Sequence, residues 1–293
     1  MNNSYFERNL GFMSVEEQGR IHESRVAIAG AGGDGGMLAI MLARMGVGEL
    51  RLADPDNFEV ENINRQAVCN SGTIGLNKAL AVGDYIQKIN PDIKTVIYNN
   101  GVSTGNVEEF LSGVDLVIDE TEFTLHALAV MIARQARKEK IPNLTAFNIG
   151  FGAVATTFHP DGVKLESRLG FTEEQSLEEI SDRKVDVSRW LPYLPSYGDI
   201  RVLGKVAKGE KPAPSIAPGV AIAASIGATQ AFLNLVKSID NNRPEPIYAP
   251  KAIVMDSMSL KANVIKFSRS SHYRNLTRVL ALNLTKRNPN AAY

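Results

Sequence analysis

The strongest structural signal in this sequence is a run of glycines between two apolar segments. The run, Gly30-Ala-Gly-Gly-Asp-Gly-Gly36, follows a buried-strand pattern over Arg25–Ala29 and precedes a helical pattern over 37–45. Glycine lets the backbone turn sharply and approach a phosphate closely, and the N–H groups at the start of a helix then face the anion. The spacing Gly-x-Gly-x-x-Gly therefore predicts a nucleotide-binding loop, with four candidate ligands: Gly30, Gly32, Gly33 and Gly35.

Strand and helix patterns alternate along the first half of the chain. We predict strands over 49–53, 95–98, 114–119 and 143–146, and helices over 78–89 and 125–140. This alternation predicts an α/β fold with a Rossmann-like, doubly wound, mostly parallel sheet. We expect an N-terminal helical arm (1–24), a nucleotide-binding Rossmann-like domain (25–150), and a region (151–293) that completes the same domain.

The second half of the chain predicts an antiparallel C-terminal extension. Ala153–Phe158 and Val163–Glu166 flank a His-Pro-Asp-Gly turn and predict a hairpin. We expect residues 170–215 to be irregular, and residues 220–238 to form a helix. Strands over 252–256 and 261–268 are expected to pair, followed by a helix and a frayed end from 269 to 293.

Composition narrows the class of protein. The 293 residues are 44% hydrophobic and 22% charged with a formal net charge of zero, so the basic excess typical of nucleic-acid binders is missing. The single cysteine excludes an internal disulfide and a C-x-x-C zinc site. The first 20 residues lack an apolar signal-peptide core, and the apolar stretch over 216–236 carries a proline and polar side chains typical of a core helix. We expect a cytoplasmic protein with no membrane partner and no nucleic-acid partner.

The residues after the second strand distinguish between nucleotides. Asp54 ends this strand at the position where an acid accepts hydrogen bonds from a ribose. The glycine loop and this acid alone would favour an NAD-dependent oxidoreductase over other nucleotide-binding proteins. Arg65 adds a guanidinium fork for phosphate oxygens, and Lys78 adds a point charge at the start of the next helix. A nucleoside triphosphate needs such cations, so ATP becomes the expected ligand. The same segment supplies four further candidates for the nucleotide or a hydrated metal ion: Asp56, Asn62, Asn64 and Gln66.

In combination, these motifs resemble the ThiF/MoeB/HesA superfamily, relatives of the ubiquitin-activating enzymes. The family pattern is a GxGGxG loop, then DxD…NxxRQ, a lysine, and an acid after the fourth strand; the match runs from about 5 to 150 and more loosely over 218–235. The resemblance implies binding of MgATP and transfer of AMP to a carboxylate, with release of pyrophosphate. It also implies a homodimer.

The N-terminal segment is similar to the family's Y-x-R-Q-I opening. Here it is Phe6-Glu-Arg-Asn-Leu10. The family's arginine reaches into the ATP site of the partner subunit, so the resemblance implies that Arg8 acts in trans on the triphosphate. The alternative is an ordinary surface arginine.

The acid after the fourth strand departs from the family pattern. Where the family has T-D-N, this chain has Thr121-Glu-Phe, so Glu122 takes the aspartate position. Glu122 or Asp119 could hold Mg²⁺, directly or through water. The catalytic candidates implied by the resemblance are therefore Arg8, Arg65, Lys78 and Glu122. The same departure keeps open a catalytically inactive nucleotide-binding scaffold.

The scarcity of cysteine shapes the expected reaction. A thioester or persulfide relay needs a cysteine away from the nucleotide, and Cys69 lies just after Arg65 and Gln66. We therefore expect the final nucleophile to attack the acyl-adenylate directly, as in relatives that mature ribosomally made peptides into antibiotics. Activation of a sulfur-carrier or ubiquitin-like protein and cyclodehydration of a tRNA base remain alternatives. The aromatic run 189–197 is a candidate peptide contact or a packing segment.

Overall fold

One continuous eight-stranded sheet organises the chain. The computed structural model describes residues 5–183, 193–207, 210–240, 242–266 and 277. The strand order is β3-β2-β1-β4-β5-β6-β7-β8, with parallel pairing from β3 to β5 and antiparallel pairing from β5 to β8. The strands are β1 Arg25–Ala29, β2 Glu49–Ala53, β3 Lys94–Tyr98, β4 Leu116–Asp119, β5 Asn143–Ile149, β6 Gly152–Phe158, β7 Lys251–Asp256 and β8 Lys261–Lys266.

Helices cover both faces of the parallel part of the sheet. In the described residues they are α1 Val15–Glu23, α2 Gly33–Met45, α3 Lys78–Ile89, α4 Val107–Leu111, α5 His126–Lys138, α6 Leu165–Leu169, α7 Leu177–Ser181, α8 Ile200–Ala207 and α9 Ala217–Val236. Alternate residues of β1 face opposite layers: Val26 and Ile28 pack with α2, α3 and α9, whereas Ala27 and Ala29 pack with α4 and α5. The predicted Rossmann-like α/β class with a C-terminal antiparallel extension is confirmed.

The sequence-predicted elements of the first half agree with the structure to within a few residues. The largest difference is at α2, which begins at Gly33 rather than Met37, so the glycine run itself forms the first helical turn. Glycine has a low helix propensity, which hides this turn from a pattern search.

The predicted hairpin over 153–158 and 163–166 is wrong. β6 instead pairs with β5 across the tight connection at Gly150 and Phe151, and with β7 on its other side. Residues 165–169 form α6, because Leu165 and Leu169 stand one helical turn apart and bury against α5.

The segment 170–215 is less irregular than expected, because it contains α7 and α8. Residues 184–192, which include the first four residues of the aromatic run 189–197, lie outside the described residues, as does the predicted helix after 269 apart from Thr277. The predicted pairing of the last two strands is confirmed, with β7 and β8 antiparallel.

α9 is a core helix, as expected. By length and composition it is apolar enough to cross a membrane, but 67% of its apolar window is buried inside the fold. It packs against α2, β5 and β6, so burial within the protein explains its composition.

Candidate nucleotide site

The connections of the sheet leave a crevice at the carboxyl ends of β1 and β4. β1 lies between β2 and β4, so the chain leaves the end of β1 toward one side and the end of β4 toward the other. Ligands of open α/β sheets bind at this kind of topological switch point. The glycine loop follows β1, and the acidic segment that begins at Asp119 follows β4, so both predicted motifs meet here.

The glycine loop is packed too tightly for side chains. Gly30 has a φ of +96°, and a Cβ atom there would lie 2.4 Å from the carbonyl oxygen of Glu120. A Cβ at Gly35 would lie 1.9 Å from the carbonyl oxygen of Gly30. Because α2 starts at Gly33, its first N–H groups have no partner in the preceding turn and are available to an anion.

Asp54 fastens the glycine loop to the end of β2. The side chain is 5% exposed; one carboxylate oxygen accepts from the backbone N–H of Ala31 at 2.7 Å, and the other accepts from Asp56 N–H at 2.9 Å. Burial raises the pKa of Asp54, although these hydrogen bonds oppose the rise. Its first role is therefore structural, and the ribose contact stays a prediction.

Arg65 lies beside the loop with part of its guanidinium held in place. Its Cγ would be 3.8 Å from a Cβ on Gly33. Nη1 donates to Asn64 Oδ1 at 2.9 Å and to the carbonyl of Glu61 at 3.2 Å. Nε and Nη2 bond to no residue in the described parts of the chain, which leaves one edge of the fork for a phosphate.

Lys78 is the first residue of α3, as predicted, and its side chain pairs with Asp56. The Nζ–Oδ2 distance is 2.9 Å, and the side chains of Lys78 and Asp56 are 12% and 66% exposed. The neighbouring Asn77 caps α3 and also donates through Nδ2 to the carbonyls of Asp54, Asp56 and Asn99. The ordered start of α3 thus places Lys78 at the end of β2, where a phosphate would compete with Asp56.

Two other predicted nucleotide ligands are buried. Asn62 is 5% exposed and its Oδ1 accepts from Glu59 N–H, so it closes a short 3₁₀ helix over Val60–Asn62. Gln66 is also 5% exposed; its Nε2 would be 3.7 Å from a Cβ on Gly32, and its Oε1 has no partner within the described residues. Gln66 is therefore next to the loop, whereas Asn62 supports the segment that carries Arg65.

The two predicted magnesium ligands differ in exposure. Asp119 is 6% exposed and accepts from the backbone and hydroxyl of Thr121; burial raises its pKa. Glu122 is exposed. No cluster of three or more His, Cys, Asp or Glu side chains that could hold a metal occurs in the described ranges. Since Mg²⁺ at nucleotide sites commonly takes one or two carboxylates plus phosphates and water, the residues fit an ion that arrives with the triphosphate.

Two carboxylates that were not predicted as site residues, Glu120 and Asp34, line the edge of β5. β5 continues past its last pairing with β4, which leaves the N–H groups of Ala146 and Asn148 without a strand partner. Glu120 accepts from Ala146 N–H at 2.7 Å, and Asp34 accepts from Asn148 N–H at 3.1 Å. Burial raises the pKa of Glu120 well above its usual range. The one feature of the sequence that could have indicated this arrangement is Asp34, an acidic residue inside the glycine loop.

Arg8 and Cys69 occupy very different environments. Arg8 is exposed in a 3₁₀ helix over Glu7–Asn9 and makes no hydrogen bond or ion pair with the described part of its own chain. Phe12, close to it in sequence, is 86% exposed.

Cys69 is 6% exposed, its Sγ lies 3.5 Å from the carbonyl of Glu59, and burial raises its pKa.

Known proteins share sequence with part of this chain. A SAMP-activating enzyme E1 from Haloferax volcanii is 35% identical over 147 residues, which cover 50% of this chain and 54% of the relative. The adenylyltransferase and sulfurtransferase UBA4 of Candida albicans is 32% identical over 111 residues, which cover 38% of this chain and 25% of UBA4. The match thus spans about half or less of these relatives.

Solved structures share the fold. Escherichia coli MccB with ATP superposes with a TM-score of 0.65 at 20% identity, covering 92% of this chain and 72% of MccB. PaaA superposes with a TM-score of 0.62 at 23% identity, covering 85% of this chain and 66% of PaaA. The ThiF family matches residues 6–275. Because this match covers most of its length, and its glycine loop, Arg65 and Lys78 lie at the switch point of the sheet, the chain belongs to the ThiF family.

Proposed function

We propose that this chain uses MgATP to transfer AMP to a carboxylate on a peptide or protein. The observation that carries the proposal is the placement of Arg65 against a helix-initiating glycine loop at the switch point of the sheet, with Lys78 paired to Asp56 at the end of the neighbouring strand β2. Relatives support it: one is named as an activating enzyme E1, another as an adenylyltransferase, and MccB was solved with ATP and with the peptide MccA.

The residues of the chain would act mainly by neutralising charge. The substrate carboxylate is already ionised at pH 7, so its attack on the α-phosphorus needs no general base. Two anions must approach each other, and the glycine-loop N–H groups, Arg65 and Lys78 would lower that repulsion. Mg²⁺, held by Glu122 or Asp119 with phosphates and water, would stabilise the departing pyrophosphate.

The proposal includes a homodimer in which Arg8 completes the partner's site. Arg8 is exposed, and exposed apolar side chains stand close to it in sequence: Leu10 at 43%, Phe12 at 86% and Val15 at 69%. Exposed apolar residues of this size are typical of an interaction surface. A cation from a partner that reaches a triphosphate acts as an arginine finger.

The acyl-adenylate would be attacked directly by the final nucleophile. Cys69 is the only cysteine of the chain, and its burial and raised pKa make it a poor acyl acceptor. Direct attack favours maturation of a ribosomally made peptide over transfer to a sulfur carrier. The fold likeness to MccB and PaaA is compatible with this preference.

ATP–pyrophosphate exchange tests the proposal. Candidate peptides and small proteins with free C-termini are screened for substrate-dependent exchange with the wild-type chain. Lys78→Ala and Arg65→Ala should each reduce the exchange rate by more than about tenfold, which corresponds to roughly 1.4 kcal/mol of barrier. Lys88→Ala, an exposed lysine in the last turn of the same helix α3, is the matched control and should keep wild-type exchange.

Mixed dimers test the role of Arg8. Arg8→Ala and Lys78→Ala chains, each inactive alone, should regain activity when mixed, because one site of each heterodimer then has both cations. Random mixing should restore about a quarter of the wild-type sites. No recovery in a mixture shown by mass spectrometry to contain heterodimers would argue against action in trans.

A further inference from the structure

A chain of hydrogen bonds joins the glycine loop to Arg65 through the segment that precedes α9. Asp34 Oδ2 accepts from the side-chain amide of Asn148 at 2.7 Å, and Asn148 Oδ1 accepts from Ser215 Oγ at 2.9 Å. The carbonyl of Ser215 accepts from Asn64 Nδ2 at 2.9 Å, and Asn64 Oδ1 accepts from Arg65 Nη1 at 2.9 Å. We call these five residues the relay. It crosses four segments that are far apart in sequence.

The two ends of the relay fix its direction. A guanidinium only donates and an ionised carboxylate only accepts, so Asn64 must turn its oxygen to Arg65 and Asn148 must turn its amide to Asp34. Every donor in the relay therefore points from the cation toward the anion. Hydrogen bonds to charged groups are stronger than neutral ones, and aligned bonds polarise one another. The orientation of each amide is thus set by the charges at both ends.

The relay leaves one edge of Arg65 for a ligand. Nη1 is occupied by Asn64 and by the carbonyl of Glu61, whereas Nε and Nη2 bond to no residue in the described ranges. A guanidinium binds phosphate best when two parallel N–H groups face it, which requires the side chain to be held in one orientation. Packing adds to this, because Val220 of α9 lies against Gly33, where a Cβ would be 3.3 Å from its Cγ2. The start of α9, which follows Ser215, is therefore fixed against the loop.

We propose that Asp34, Asn148 and Ser215 are positioning residues that orient Arg65 for phosphate through Asn64. The inference rests on the proposed function, because it requires the triphosphate to meet the Nε–Nη2 edge of Arg65. It adds that Ser215, in the segment before α9, supports the phosphate site through its hydrogen bonds to Asn64 and Asn148. Loss of the Ser215 hydroxyl should therefore alter ATP affinity through Arg65.

Calorimetric titration of the full chain with MgATP tests the relay through a donor–acceptor exchange. Asn148→Asp places a second carboxylate opposite Asp34 and should weaken MgATP binding by about tenfold, the effect of losing one charge-assisted bond. Adding Asp34→Asn to this variant removes the second carboxylate and restores a side-chain donor–acceptor pair in the reverse sense. Because the same Asp34 oxygen also accepts from the backbone N–H of Asn148, recovery should be partial, about threefold of the tenfold loss. A purely structural loss at either position would not be repaired by the second change.

A double-mutant cycle shows whether the effect passes through Arg65. Ser215→Ala should weaken MgATP binding by about three- to tenfold in the wild-type background and have no further effect when Arg65 is alanine. Ser257→Ala removes a similar hydroxyl bond, to the carbonyl of Phe151 at 2.8 Å outside the relay, and should leave affinity unchanged. Thermal unfolding confirms that each variant is folded.

These measurements distinguish a failure of the relay from a failure of the proposed function. If wild type binds MgATP and Arg65→Ala weakens it, but Ser215→Ala and Asn148→Asp do not, the relay is wrong and the proposed function stands. The relay is also wrong if Ser215→Ala weakens binding equally with and without Arg65. If wild type fails to bind MgATP at all, both are overturned.

Discussion

At Gly35 the loop has no room for one more carbon atom. A Cβ there would lie 1.9 Å from the carbonyl oxygen of Gly30, a backbone atom that cannot move without unfolding the loop. Gly35→Ala should lower the free energy of unfolding by about 3 kcal/mol or more and abolish MgATP binding. Chemical denaturation and calorimetry measure the two effects.

Gly19 in α1 provides the matched control for Gly35. A Cβ at Gly19 would meet nothing within 4 Å. Gly19→Ala should therefore raise the free energy of unfolding by about 0.5–1 kcal/mol, because alanine favours a helix, and leave nucleotide binding unchanged. If Gly35→Ala and Gly19→Ala changed the free energy of unfolding and MgATP binding equally, the glycine loop would not be closely packed.

Asp34 gives the stability of the protein a pH dependence. Burial raises the pKa of Asp34 to about 6, from an ordinary value of 3.8. An acid with a higher pKa in the folded state binds more protons there, so its contribution to the free energy of unfolding falls as pH rises from about 4 to about 6. The free energy of unfolding of Asp34→Asn, relative to wild type, should increase over this window by on the order of 1–3 kcal/mol. A difference that stays constant from pH 4 to pH 7 would contradict the assignment.

Among the elements, α3 depends on a single side chain at its start. Asn77 accepts from the N–H of Leu80 as an N-cap and donates to three carbonyls that surround the end of β2. Asn77→Ala should lower the free energy of unfolding by about 1–2 kcal/mol and weaken MgATP binding, because Lys78 loses its fixed position.

Ser176→Ala is the control for the cap of α3. Ser176 caps the short helix α7, which belongs to the layer around α5 and carries none of the proposed nucleotide ligands. Its loss should reduce stability by about 0.5–2 kcal/mol without any change in MgATP affinity. If Asn77→Ala also left affinity unchanged, Lys78 would not need its cap for binding.

In the whole molecule, one ion pair joins the N-terminal arm to the segment after α9. Arg243 donates to both carboxylate oxygens of Glu17 at 2.7 Å and to the carbonyl of Phe12, and the Glu17 side chain is fully buried. The hydrogen bond from Arg243 lowers the pKa of Glu17, so this contribution is present above the unfolded value near 4.5 and is lost as pH falls. Arg243→Ala should therefore reduce the free energy of unfolding at pH 7, because it leaves the buried Glu17 carboxylate without its partner, and should reduce it by less in acid.

Arg201→Ala tests whether this effect is specific to a buried pair. Arg201 pairs with Asp199 on the surface, where the two side chains are 86% and 43% exposed. Its loss should change the free energy of unfolding much less than the loss of Arg243, because solvent screens the exposed pair. A loss of similar size in both variants would mean that the arm is not held by Glu17.

Local patterns in the sequence determined the parallel sheet, the glycine loop and the cations that flank it. β1, β2 and α3 have the predicted bounds, because apolar runs, glycine turns and the position of Lys78 depend on neighbours in sequence. The partners of β6 could not be predicted from local patterns, because its apolar run could pair equally well with the strand before it or with the segment after it. Only the position of β5 and β7 decided the pairing.

The candidate site likewise contains residues that were predictable from sequence spacing and residues that only the tertiary structure brings together. Its loop and cations follow from spacing, whereas Asp34, Asn148 and Ser215 meet only because β5 extends beyond β4 and α9 returns to the glycine loop. Side chains separated by 67 and 114 residues leave no periodic signal in a single sequence. Which acid accepts from which amide is therefore decided by tertiary structure, because a hydrogen bond acts over about 3 Å and takes no account of distance along the chain.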